Sequence, residues 1–127
     1  MKYKRIIFVG LHNKSHMQPL DSHTKSGKLI DRIIKELPKS ISVVKTNLFD
    51  VDRFPHNDEM DKLKSEWFST YLPTPDDVIV LLGKTVHEEF EFKIGKILKI
   101  AHPASKRSHA DIDEYVSSTL DKIAKSL

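Results

Sequence analysis

Two apolar runs, each ended by a glycine, decide the fold class: KRIIFVG at Lys4–Gly10 and DVIVLLG at Asp77–Gly83. Neither run alternates between apolar and polar residues, as a strand with one exposed face would. Continuous apolar strands are typical of a parallel sheet that is buried on both faces. Two more strands are predicted at Ile41–Asn47 and Lys96–Ala101, where apolar runs lead into polar residues.

Helical patterns separate these strands. Apolar residues recur at the 3.6-residue spacing of a helix from Ser26 onward, and Pro38 ends that pattern. Further helices are predicted at about 58–71, 85–92 and 111–126. Strands that alternate with helices indicate a parallel sheet covered on both faces. We therefore predict one domain, residues 1–127, folded as a three-layer α/β/α sandwich with a four-stranded parallel sheet.

The composition bounds the class of protein. The chain has 127 residues, no cysteine and a net charge of +3. Without cysteine, disulfides, iron–sulfur clusters and thiol catalysis are excluded, and a reducing cytoplasm is the expected location. No apolar run approaches the roughly 20 residues that cross a bilayer, and Ile6–Leu11 is interpreted as a first strand rather than a secretory signal. The mild positive charge permits an anionic partner, and we expect a monomer.

Common cofactor motifs fail their own requirements. TKSGK at Thr24–Lys28 lacks the earlier glycine of a phosphate-binding loop, and Leu29 stands where Ser or Thr is needed. Ser26 and Gly27 instead predict the N-terminal cap of the following helix. The histidines of the loop after the first strand have no metal-site spacing. No metal or organic cofactor is implied, and His87, on a short predicted helix, is expected at the surface.

Polar side chains follow three of the predicted strands. His12 and Asn13 follow the first strand, Asn47 ends the second, and His102 follows the last. Because the carboxyl ends of parallel strands meet at one edge of a sheet, these residues are predicted to form one ligand site. The Asn amide carries a donor and an acceptor in one plane, which suits the edge of a nucleobase. Basic residues are expected to surround this site and contact phosphates: Lys14, Lys25, Lys28, Lys106 and Arg107.

Short motifs around these residues resemble those of the uracil-DNA glycosylase superfamily, in order along nearly the whole chain. The motifs are VGLHN at 9–13, QPL at 18–20 with SGKLID at 26–31, KTNL at 45–48, VIVLLG at 78–83 and HPAS at 102–105. The resemblance implies an enzyme that flips a base out of DNA and hydrolyses its N-glycosidic bond. Uracil or another deaminated base is the implied substrate, with no cofactor.

The resemblance also implies roles for the strand-end residues. Asn47 would read the edge of the base, and His102 would stabilise the base as it leaves as an anion. Asn13 is the preferred residue to position the attacking water, with His12 the close alternative. In the family, the first motif carries Asp, Asn or Glu followed by proline, whereas this chain has His12 followed by Asn13.

Further residues are implied to contact the base or the DNA. Gly10 ends the strand of the first motif and would border the base. Leu20 stands where the family has a stacking phenylalanine, and Phe49 is a second candidate for an aromatic face. The residues expected to contact the DNA backbone or fill the vacated stack are Ser105, Lys106, Arg107 and Lys14.

Two other functions stay open from the sequence. A binding module on the same fold would hold a nucleobase or single-stranded DNA without hydrolysis. Alternatively, the chain acts on a small nucleoside or nucleotide, in which case binding to a polynucleotide should not show a steep loss with rising salt.

Overall fold

The computed structural model describes residues 5–12, 19–105 and 108–127. Strands and helices alternate along the chain as predicted. The elements are β1 (Arg5–His12), α1 (Lys25–Lys35), β2 (Ser42–Phe49), α2 (Asn57–Tyr71), β3 (Val78–Leu82), α3 (Lys84–Glu89), β4 (Lys96–Ile100), a 3₁₀ turn (Pro103–Ser105) and α4 (His109–Ser126). Both β1 and β2 extend two residues beyond their predicted ends, because His12 and Phe49 still pair across the two strands.

The four strands form one parallel sheet in the order β2-β1-β3-β4. The chain passes from β1 outward to β2 and then crosses to β3 on the other side of β1. The order of the strands therefore reverses between β1 and β3. In open α/β sheets, the crevice at the carboxyl ends of the strands at such a point is where ligands bind.

Helices cover both faces of the sheet, which confirms the predicted three-layer architecture. On one face α1 and α4 pack against β-strand residues such as Ile6, Phe8 and Val80. On the other face α2 and α3 pack against residues such as Ile7 and Val9. The side chains of β1 and β3 are thus buried on both faces, which explains why their sequences are apolar without alternation. Among the described helices, none combines the length and the apolar character needed to span a bilayer.

Candidate functional site

A cleft of about 570 Å³ opens at the carboxyl edge of the sheet. It brings together five of the residues that the sequence predicted for the site: Gly10, His12, Leu20, Asn47 and His102. The remaining lining comes from the ends of β1 and β3, from the segments around the first turns of α1 and α3, and from the 3₁₀ turn after β4: Leu11, Asp21, Thr24, Lys25, Ser26, Leu82, Gly83, Lys84, Thr85, Val86 and Ala104. The predicted convergence of strand-end residues is therefore present in the structure.

One side of the cleft, here called the Asn47 wall, consists of Gly10, Leu20 and Asn47. Asn47 pairs with Gly10 in the sheet register, and the residue is only 7% exposed. A Cβ atom on residue 10 would lie 2.4 Å from Asn47 Oδ1, well inside van der Waals contact. A glycine is therefore needed at this position of β1, because the Asn47 amide occupies the space that a side chain would fill.

The residue before Asn47 anchors the end of β2. The Thr46 hydroxyl donates to the carbonyl of Phe8 at 3.0 Å and accepts from Trp67 Nε1 at 3.1 Å. Both bonds are buried, so they hold β2 to β1 and to α2 immediately beneath the cleft. The helical pattern in the sequence does not reveal this polar link to Trp67.

Leu20 reaches the cleft from a loop with an unusual backbone. Its φ angle is 51°, in the left-handed region that non-glycine residues rarely adopt. The Lys45 ammonium group donates to the Leu20 carbonyl at 3.2 Å and also pairs with Asp31 of α1. A Cβ on Gly10 would lie 3.6 Å from Leu20 Cδ2, so the leucine packs over the same glycine as Asn47 does.

The cap of α1 differs from the prediction. Thr24, rather than Ser26 with Gly27, is the N-cap, and its hydroxyl accepts from the Gly27 N–H at 2.9 Å. The same hydroxyl donates to the carbonyl of Asp21 at 2.7 Å. The threonine therefore joins the loop that carries Leu20 to the first turn of α1.

The opposite side, here called the His102 wall, consists of Gly83, His102 and Ala104. Gly83 has φ 95° and ψ 160°, a conformation open essentially only to glycine. A Cβ there would lie 3.2 Å from His102 Cβ and 3.5 Å from its Cδ2. Gly83 therefore supplies both the turn that ends β3 and the space that the imidazole ring occupies.

Hydrogen bonding fixes the chemical form of His102. The backbone N–H of Ala104 donates to His102 Nδ1 at 3.1 Å, so Nδ1 carries no proton and the neutral ring holds its proton on Nε2. Although the residue is exposed on its outer side, partial burial of the ring lowers the pKa of His102. Both effects favour a neutral imidazole that can donate one hydrogen bond from Nε2.

Consecutive carbonyl groups before and at His102 are each held by a donor. The Gly83 N–H donates to the Ile100 carbonyl at 3.0 Å, and the Tyr115 hydroxyl donates to the Ala101 carbonyl. The Ser105 hydroxyl and N–H both donate to the His102 carbonyl, at 2.7 and 3.0 Å. Burial raises the pKa of Tyr115, which keeps its hydroxyl protonated as a donor.

Several predicted residues lie outside this arrangement. Phe49 is fully buried and packs edge-on against Phe54, with ring centroids 6.2 Å apart, and it does not line the cleft. The structure therefore places it away from any base in the cleft, because β2 continues two residues past Asn47 before it ends. Ser105 is exposed and joins the turn rather than the lining. Four predicted residues fall outside the described part of the chain: Asn13, Lys14, Lys106 and Arg107.

Sequence reasoning missed the contribution of α3. Lys84 and Thr85, in its first turn, line the cleft opposite Lys25 and Ser26 in the first turn of α1. Lys25 and Lys84 are the cationic side chains of the described lining, and Asp21 is the anionic one. The signal in the sequence was the lysine directly after the glycine that ends β3.

The fold and the cleft define an α/β/α protein with a cleft at the carboxyl edge of a parallel sheet. The chain matches no protein-family model, and no curated protein sequence matches it either. The residues of the cleft therefore carry the functional inference.

Proposed function

We propose that this protein is a DNA glycosylase of the uracil-DNA glycosylase type, which hydrolyses the N-glycosidic bond of uracil or another deaminated base in DNA. The observation that carries the proposal is that Asn47 and His102, from β2 and from the turn after β4, line the same cleft. These are the two residues to which the sequence resemblance gave base reading and stabilisation of the leaving base.

The dimensions of the cleft suit a base removed from the DNA stack. Its volume of about 570 Å³ lies within the range of roughly 300–1,000 Å³ found for small-molecule sites. Enzymes that act on a base in DNA must extrude it into such a pocket. In the proposed complex, Leu20 covers one face of the base by apolar contact and the base edge meets the amide of Asn47.

The form of His102 suits a leaving group that gains negative charge. A neutral imidazole with its proton on Nε2 donates a hydrogen bond to an acceptor oxygen on the base. That bond strengthens as the glycosidic bond breaks and the oxygen becomes more negative, so it stabilises the transition state more than the ground state. Such an interaction requires no proton transfer from His102.

The attacking water is assigned to the end of β1. His12 lines the cleft from this position, and Asn13 follows it in the sequence. Asn13 or His12 would orient the water toward the sugar carbon from which the base departs. Lys25 and Lys84 line the cleft and would contact phosphates of the bound strand.

The test uses the full chain with single- and double-stranded oligonucleotides that each carry one uracil, followed by alkaline cleavage of abasic sites. We expect strand scission with the native protein and a loss of about 100-fold in Asn47→Ala, because an oriented polar contact to the reacting group is removed. Asn57→Ala is the matched control, since Asn57 is an exposed residue at the start of α2. Asn47→Asp, which keeps the side-chain shape but not the amide donor, serves if the alanine variant does not fold.

Full activity in a folded Asn47 variant would overturn the assigned base reading. If the native protein produces no scission of oligonucleotides that carry uracil or hypoxanthine, the proposed glycosylase activity is overturned. If those oligonucleotides are bound without release of base, the result supports a non-catalytic nucleobase-binding module on this fold.

A further inference from the structure

His87 lies between the carboxyl ends of β3 and β4. Its Nε2 atom is 3.0 Å from the carbonyl oxygen of Leu81 and 2.9 Å from that of Ile100. Carbonyl oxygens only accept hydrogen bonds, so Nε2 must carry a proton. This N–H group donates to both carbonyl oxygens and thereby links the two strands. The residue is half-buried, although the sequence predicted it at the surface.

The short helix α3 returns His87 to this position. The His87 N–H donates to the Gly83 carbonyl at 3.0 Å, as in one regular helical turn, so the side chain comes back beneath the strand ends. The Ile100 carbonyl also accepts from the Gly83 N–H at 3.0 Å. His87 does not itself line the cleft, so it has no access to a ligand there.

The two carbonyl groups lie just before the residues of the His102 wall. Leu81 precedes Gly83 by two residues, and Ile100 precedes His102 by two. The ring of His102 fits against Gly83 with little room, since even a Cβ on residue 83 would lie 3.2 Å from His102 Cβ. A change in the spacing of the β3 and β4 ends would therefore shift the His102 ring relative to Gly83.

We infer that His87 is a positioning residue, whose shared N–H sets the spacing of the β3 and β4 ends and thereby places His102 against Gly83. The consequence for base release rests on the proposed function, whereas the effect on the position of the ring does not. A displacement of about 1 Å at a catalytic group lowers the rate by up to roughly 100-fold. His87 thus acts on the reaction through His102 without contact with DNA.

The first measurement is by NMR on the unliganded full chain. The α-proton shifts of Gly83 and its nuclear Overhauser contacts to the His102 ring report how close the ring lies, with the ring signals of the seven histidines assigned by substitution. His87→Leu removes the donor, and we expect weaker contacts and displaced Gly83 shifts. His87→Gln keeps an N–H donor at a similar reach, and we expect it to restore most of the native pattern.

Phe90→Leu is the matched control for a general loosening of α3. Phe90 directly follows the helix and packs against Trp67 with centroids 5.2 Å apart, so its substitution lowers stability without removing the shared N–H. We expect it to leave the Gly83–His102 contacts unchanged. Native contacts in His87→Leu, or contacts as weak in His87→Gln and Phe90→Leu as in His87→Leu, would overturn the inference.

The activity measurement follows on uracil-containing oligonucleotides. We expect kcat about tenfold lower in His87→Leu, with a smaller change in KM because no DNA contact is lost. If the native protein releases no base, the glycosylase proposal fails while the NMR comparison still decides the role of His87. If the native protein is active and His87→Leu has native kcat, the positioning role fails while the glycosylase proposal stands.

Discussion

The Asn47 wall and the His102 wall share one feature, a glycine packed against a polar side chain, but the two polar side chains are held in position in different ways. In each, a glycine near the end of an inner strand lies against a polar side chain in or just beyond the neighbouring outer strand: Gly10 against Asn47, and Gly83 against His102. Asn47 lies inside β2 and is held by the sheet itself. His102 lies two residues beyond β4, exposed on one side, and is held by hydrogen bonds to successive carbonyl groups.

This difference predicts how each wall fails. The position of Asn47 follows from strand register, so a change at its glycine affects the amide directly. The position of His102 is fixed by several hydrogen bonds together, so the loss of any one of them should have a smaller effect on function. The following substitutions test this contrast, from the largest expected effect to the smallest.

Gly10→Ala is expected to have the largest effect on the proposed base release. Its Cβ would lie 2.4 Å from Asn47 Oδ1, so the amide must move, and activity should fall about 100-fold. The free energy of unfolding should decrease by about 1–3 kcal/mol, as for other overpacked sites. Urea unfolding and the oligonucleotide assay measure both quantities. Native activity in Gly10→Ala would show that the site tolerates displacement of the Asn47 amide.

Gly83→Ala is the counterpart in the His102 wall. Alanine cannot adopt φ 95° and ψ 160° without strain, so we expect a loss of about 1–3 kcal/mol in the free energy of unfolding. The carbonyl bonds around His102 remain, and activity should fall only about tenfold. A loss of activity as large as that of Gly10→Ala would remove the contrast between the walls.

Tyr115→Phe removes one of the bonds that support His102. The hydrogen bond from the hydroxyl to the Ala101 carbonyl is lost, and we expect a decrease of about 1 kcal/mol in the free energy of unfolding, measured by urea titration. Base release should fall less than in Gly83→Ala. Ser117→Ala on the exposed side of the same helix is the control. No difference from that control would mean that the hydroxyl bond does not contribute.

The smallest effect concerns the pH dependence of stability. The pKa of His102 lies below its unfolded value of about 6.5, because burial of the ring disfavours the cation. Between these two pKa values, the native state therefore binds fewer protons than the unfolded state, and the free energy of unfolding rises with pH. This contribution to stability is complete above the unfolded pKa and is lost as the pH falls through the lowered native pKa. In urea unfolding across this window, stability should rise less steeply with pH in His102→Gln than in native protein. The matched control is His109→Gln, at the exposed start of α4.

Much of the site could be predicted from strand ends alone. Gly10, His12, Asn47 and His102 follow or end apolar runs, and parallel strands bring such positions to one edge. Phe49 shows the limit of this reasoning. It lies only two residues beyond Asn47, but its side chain belongs to the core on the α2 and α3 face.

Other parts of the site depend on contacts between residues distant in sequence. The sequence predicted His87 at the surface and gave Tyr115 no role, yet both side chains donate to carbonyl groups near His102. Lys45 supports the Leu20 backbone across 25 residues. No local pattern encodes such bonds, because they form only when the elements pack.

The sequence by itself determined the layers, the parallel sheet and the edge at which polar residues gather. Continuous apolar strands between amphipathic helices have one low-energy arrangement, in which each strand buries both faces. Only the tertiary structure decided which side chain meets which glycine and which carbonyl groups receive a donor. Those contacts depend on register and on distances of a few tenths of an ångström, to which the spacing of apolar residues is insensitive.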